Sequence, residues 1–164
     1  MTYEELREEI KEANLVLVGL GEDLCSASEA FYQELARLLF HKDYFIVSLS
    51  AGREELETAG LLPEQITVPL AGEDEEKSWE CYLHWLSFTL NQRLCILEMG
   101  AGFGHPELIR FPFEKTCYFN QKARLIRINA RFPQLPAEHA GRGISIQEDP
   151  AAYLTTGAGR EAFK

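Results

Sequence analysis

Leu15-Val16-Leu17-Val18-Gly19-Leu20-Gly21 and Leu94-Cys95-Ile96-Leu97-Glu98-Met99-Gly100-Ala101-Gly102-Phe103-Gly104 are the two most informative passages of the chain. Each begins with a short apolar run and ends in closely spaced glycines. An unbroken apolar run of this length suits a strand buried on both faces, the environment of a central strand in a parallel sheet. Glycine immediately after such a strand lets backbone amides approach a ligand, because no Cβ stands in the way.

The segments around these passages alternate between helical and strand patterns. Thr2 and Glu5 form a capping box that opens a short helix with Leu6 and Ile10 on one face. Residues 26–40 carry Ala30, Phe31, Leu35, Leu38 and Leu39 at helical spacing. A second strand is predicted over 44–49, a helix over 53–59 closed by Gly60, and a weak third strand over 66–68 stopped by Pro69. The acids at 73–76 precede a helix over 78–91 and complement its dipole; Trp79, Tyr82, Leu83, Leu86 and Leu90 share one side of it. The fourth strand is expected over 94–97, a helix opened by Pro112 over 112–120, and strands over 125–128 and 144–146. Asp149 and Pro150 are the cap and first-turn pair of a terminal helix. This β–α alternation predicts an α/β fold: a Rossmann-like, doubly wound, mainly parallel six-stranded sheet with helices on both faces, ordered 3-2-1-4-5-6. There is no linker or repeat, so residues 1–164 read as a single domain.

Sixteen Lys and Arg against 26 Asp and Glu give a net charge of −10 over 164 residues. Such a balance argues against a nucleic-acid partner, since phosphate neutralisation needs clustered cations, and against an anionic membrane surface. No apolar run reaches the roughly 20 residues of a membrane span. Met1 to Glu12 is charged, without an apolar signal core, so a cytoplasmic location is expected. Cys25, Cys81, Cys95 and Cys117 form no C-x-x-C pair; no zinc or other metal site is expected, and all four read as buried structural thiols.

What the acidity leaves open is a small anionic ligand held by backbone amides. In a doubly wound sheet the ligand sits beyond the carboxyl ends of the strands where the order reverses, here between strands 1 and 4. Both glycine turns fall there, which makes Gly19, Gly21, Gly100 and Gly102 candidate nucleotide contacts. The dinucleotide fingerprint is incomplete: Leu24 holds its third glycine position, and strand 2 ends in Ser48 and Ser50 with no acid. Glu22 and Asp23 also oppose an anion. A unit charge about 5 Å from a phosphate costs roughly 3 kcal/mol at an effective dielectric near 20, against about 0.3–2 kcal/mol contributed by a helix terminus. Asp23 capping its own helix would instead occupy the amides a phosphate needs. Arg110 and Lys115 are the best placed cations to compensate.

The order of segments resembles the NAD-dependent sirtuins, especially shortened bacterial sirtuin-like proteins. Gly19-Leu20-Gly21 is similar to the start of the family's G-A-G-x-S turn, and Cys95 to Pro106 to its G-T-S-x-x-V-x-P region. Ala123 to Asn129 resembles the next strand, whose terminal Asn contacts the adenosine ribose; residues 144–154 resemble the closing strand and helix. The resemblance implies an NAD or ADP-ribose site formed by Gly19, Gly21, Gly100, Gly102, Arg110 and Asn129. Departures from the family's pattern argue against a protein deacylase. By segment order Ser50 and Gly52 stand where the T-Q-N-x-D motif has Asn and Asp, and Ala71 stands where the catalytic His would be. The four-Cys zinc module is missing as well.

Three functional expectations follow. The first is a small-nucleotide-binding protein of the NAD or ADP-ribose type without turnover. The second is an enzyme that cleaves or transfers an N-glycosidic bond of NAD or a nucleoside, with Glu98 as nucleophile or charge stabiliser and His105 as acid or base. Glu98 has a structural alternative as a partner for Arg110 or a cap on a glycine-turn amide. The third is a structural or interaction protein with a vestigial pocket, in which apolar surface serves contacts within a homo-oligomer. Trp79, Trp85, Phe88, Phe111 and Phe113 are its candidates, with core packing the competing use.

Overall fold

A computed structural model describes residues 1–24, 27–139 and 141–162. Six strands form one all-parallel sheet: β1 (Leu15–Leu20), β2 (Asp43–Ser48), β3 (Ile66–Thr67), β4 (Leu94–Met99), β5 (Arg124–Ile128) and β6 (Gly143–Ile146). Their order is β3-β2-β1-β4-β5-β6. The α/β, Rossmann-like architecture is therefore the one the alternating pattern predicts. The helices are α1 (Tyr3–Glu12), α2 (Glu29–Leu38), α3 (Arg53–Thr58), α4 (Glu76–Ser87), α5 (Arg110–Phe119) and α6 (Pro150–Ala162).

Strand alternation divides the core into two layers. Val16, Val18, Leu20, Leu97, Met99 and Ile126 face one side, where Leu6 of α1, Leu35 of α2, Leu56 of α3 and Leu154 of α6 cover them. Leu15, Leu17, Phe45, Ile96 and Leu125 face the other, under Tyr82 of α4 and Phe113 of α5. Two faces buried by helices explain why β1 and β4 carry almost no polar residue. The Thr2–Glu5 capping box is present, and Asp149 accepts from the Ala152 amide at the start of α6.

Several boundaries move for physical reasons. α5 begins at Arg110, placing Pro112 inside its first turn, where the missing amide has no intrahelical partner to lose. β4 runs through Glu98 to Met99, because β1 and β5 pair with it to that residue. α2 starts at Glu29, so this helix does not directly follow the first glycine turn. The predicted opening of that helix at Ser26 lies outside the described residues, as does Cys25. Cys95 and Cys117 are buried, but Cys81 is exposed: Trp79, Tyr82 and Trp85 turn toward the sheet and leave position 81 on the outer side of α4. Among the described residues no helix is long and apolar enough to cross a membrane, and no group of three or more His, Cys, Asp or Glu side chains could hold a metal ion.

Candidate functional site

The ends of β1 and β4 lie side by side, so the two glycine turns meet. Gly21 donates to the Met99 carbonyl (2.8 Å), and the Asp23 amide donates to the Gly100 carbonyl (2.9 Å). Gly100 adopts φ +71°, a conformation that L side chains rarely adopt, and its amide reaches Ile128 on β5 (3.1 Å). A Cβ on Gly21 would collide with the backbone of Ala101. A Cβ on Gly19 would lie 2.6 Å from the Phe113 ring, so the missing side chain lets α5 pack close on the sheet.

The acids of the first turn point into the second. Glu22 Oε1 accepts from the Gly104 amide at 2.9 Å. A Cβ on Gly102 would stand 2.5 Å from Asp23 Oδ2 and 3.3 Å from Glu22 Oε1. Glu22 Oε2 and Asp23 Oδ2 are buried without a hydrogen-bond partner among the described residues. The second turn thus cradles carboxylates supplied by the chain itself. Asp23 does not cap α2, which begins six residues later at Glu29.

Arg110 and Asn129 are also turned inward. The Arg110 guanidinium donates to the carbonyls of Ala101 (3.1 Å), Phe132 (3.1 Å) and Gln134 (3.4 Å), and sits 4.4 Å from the centre of the Phe103 ring. Burial, with Arg127 nearby, lowers its pKa from the ordinary arginine range. Asn129 donates to the Ala101 carbonyl (3.0 Å) and accepts from the amides of Arg131 (3.0 Å) and Phe132 (2.9 Å). Lys115, the other expected cation, lies on the groove between α4 and α5, away from the turns.

Glu98 is fully buried and faces α5. Its partner is Arg127, directly opposite on β5, and not Arg110. Arg127 Nε and Nη2 donate to its two carboxylate oxygens at 2.5 and 3.0 Å, a bidentate pair. Arg127 further donates to Glu114 (2.9 Å) and to the Gln134 carbonyl (2.6 Å). Burial pushes the Glu98 carboxyl up, while Glu98 and Glu114 outweigh burial at Arg127 and keep it a guanidinium. His105 is exposed in the loop after β4, its Nδ1 3.6 Å from a Glu107 carboxylate oxygen. The structure does not bring His105 and Glu98 together as a hydrogen-bonded pair.

A second corner of the same sheet edge has no signature in the sequence. Arg53 at the start of α3 donates to Glu75 through Nε (2.6 Å) and Nη2 (2.8 Å), and to the Ile66 carbonyl. Glu75 also accepts from the Val68 amide and from Ser78. Burial works to raise the Glu75 pKa, but Arg53, Ser78 and Val68 outweigh it and hold the carboxyl below its usual range. In the sequence Glu75 reads as one of several dipole-complementing acids, and no local pattern links it to Arg53, 22 residues away. Ala71 is exposed in the turn beyond β3, its amide bonded to the Val68 carbonyl.

A diphosphate needs free amides and cations. The Gly104 amide is held by Glu22, Arg110 by carbonyls and Asn129 by the loops it joins, so in this arrangement these residues do not fit one. No protein-family model matches the sequence, and no curated protein matches it either.

Proposed function

We propose that this chain is a non-catalytic, sirtuin-like domain with an NAD- or ADP-ribose-type crevice that its own acidic turn keeps closed. A nucleotide enters only when Glu22 and Asp23 leave the second glycine turn. The carrying observation is the bond from the Gly104 amide to Glu22: an internal carboxylate stands on an amide suited to an anion. The order β3-β2-β1-β4-β5-β6, which places both turns at the reversal point, supports the choice of crevice. Deacylation has no support, because by segment order the base position is Ala71, which cannot take a proton; general-base help is worth roughly 10²–10⁴-fold in rate.

N-glycosidic chemistry is the weaker alternative. Using Glu98 as a nucleophile would require breaking a fully buried bidentate ion pair beneath α5. Titration calorimetry with ADP-ribose, NAD and nicotinamide, followed by an assay for nicotinamide release from NAD, separates the cases. The expected result is weak or undetectable binding by the wild type, tighter binding by Glu22→Gln with Asp23→Asn, and no release. Release abolished by Glu98→Gln in a folded protein would favour the glycosidase. No binding even by the double variant would leave a structural or interaction protein.

A further inference from the structure

We propose that the outer face of α4 and α5 is the contact surface of an isologous homodimer of this chain. The proposal is independent of whether the crevice takes a nucleotide. Among the described residues, ten large hydrophobic side chains are exposed, and six of them lie on these two helices and the turn after α4: Leu83, Phe88, Leu90, Phe111, Tyr118 and Phe119. Between the helices runs a groove of about 500 Å³ with Leu83, Leu86, Leu90, Pro112 and Phe119 in its walls. Tyr118 packs edge-on against Phe119, which extends the apolar surface along α5.

Area argues for a second copy as the occupant, and the local charge of this face permits it. Six half-exposed side chains of this size present on the order of 600 Å² of apolar surface. A standard interface takes about 800 Å² from each partner, roughly two thirds of it apolar at a homodimer contact, so this patch supplies the apolar share of one. It also stands at the upper end of the largest patch that a monomer ordinarily leaves exposed. The chain carries a net charge of −10, so two copies repel unless they meet where acids are absent. The groove lining contains no Asp or Glu and a single cation, Lys115. By contrast Glu4, Glu5, Glu8, Glu9 and Glu12 line a surface of α1, which packs on the opposite face of the sheet. On α4 the acids Glu76 and Glu80 belong to its first half, away from Leu90. A two-fold pairing through α4 and α5 therefore joins the neutral faces and points the acidic helices apart.

Sedimentation velocity on the full chain tests this directly. The wild type is expected to be dimeric at about 10 μM, and Leu90→Asp with Phe119→Asp to weaken association about 100-fold or more. Both side chains are more than half exposed, so the circular dichroism spectrum should not change. The milder pair Leu83→Ser and Phe119→Ser, expected to weaken association about tenfold, serves if the charged pair does not fold. Phe40→Asp, on an exposed residue after α2, should leave the dimer intact. A wild type that stays monomeric at about 100 μM would assign this face to a different partner and overturn the proposal. A dimer that both α4–α5 variants leave unchanged would overturn it equally.

Discussion

The carboxyl edge of the sheet has two corners, each closed by a carboxylate, in different ways. At the β1–β4 corner, Glu22 reaches across to a backbone amide while Glu98 is locked beneath α5 by Arg127. At the β2–β3 corner, Glu75 and Arg53 form a clamp whose arginine is about a third exposed, with side-chain exposures of 30% and 9%. The Glu98–Arg127 pair has none. The difference separates energy from opportunity. A fully buried pair is costly to break, whereas a single carboxylate on a loop amide can yield to a competitor.

The largest effect should come from breaking the buried pair. Arg127→Met leaves Glu98 in the core without its cation and should cost about 3–5 kcal/mol in chemical denaturation. Replacing both partners, Glu98→Leu with Arg127→Met, should recover much of that loss, since no unpaired charge remains. A loss under about 1 kcal/mol for Arg127→Met would mean that the pair is solvated and that the two corners are alike.

The β2–β3 clamp should respond less strongly and through pH. Because the Glu75 pKa is lowered by folding, its contribution is fully present above the unfolded carboxyl value and is lost as pH falls through the lower folded value. Glu75→Gln should cost on the order of 1–2 kcal/mol at neutral pH, discounted for the exposure of Arg53, and its stability should fall less steeply on acidification. Parallel acid limbs in urea melts of the two proteins would remove the clamp from the account.

The smallest effect concerns the core between the corners and the outer face. Tyr82 is buried with its hydroxyl unpartnered among the described residues, and burial raises its pKa far above the ordinary phenol range. Tyr82→Phe should be neutral or stabilising by up to about 1 kcal/mol, because it removes a buried polar group that has nothing to bond. A loss of more than that would reveal a partner for the hydroxyl.

The strand order was legible because Leu15–Leu20 and Leu94–Met99 are apolar throughout and both stop at glycine, a pattern set by burial on two faces. The locations of Gly21 and Gly100 were legible for the same reason. Their partners were not. Arg127 sits inside an apolar strand, and its period-2 position already places it on the face of Leu125; only the register Glu98↔Arg127 shows that the two charges neutralise each other. Arg110 reads as a free cation after a glycine turn, yet its carbonyl partners Phe132 and Gln134 lie more than 20 residues downstream. Pairings of that range depend on how loops fold back, which neither propensity nor periodicity encodes. The exposure of Cys81 has a more local cause, since one step around α4 turns a position from the sheet to solvent.

The closed crevice stands or falls on a calorimetric titration of ADP-ribose into the wild type and into Glu22→Gln with Asp23→Asn. Removing two charges within reach of the bound phosphates, each costing up to roughly 3 kcal/mol before screening, should tighten binding at least about tenfold. Equal affinity in the two proteins would contradict a crevice held shut by its own acids.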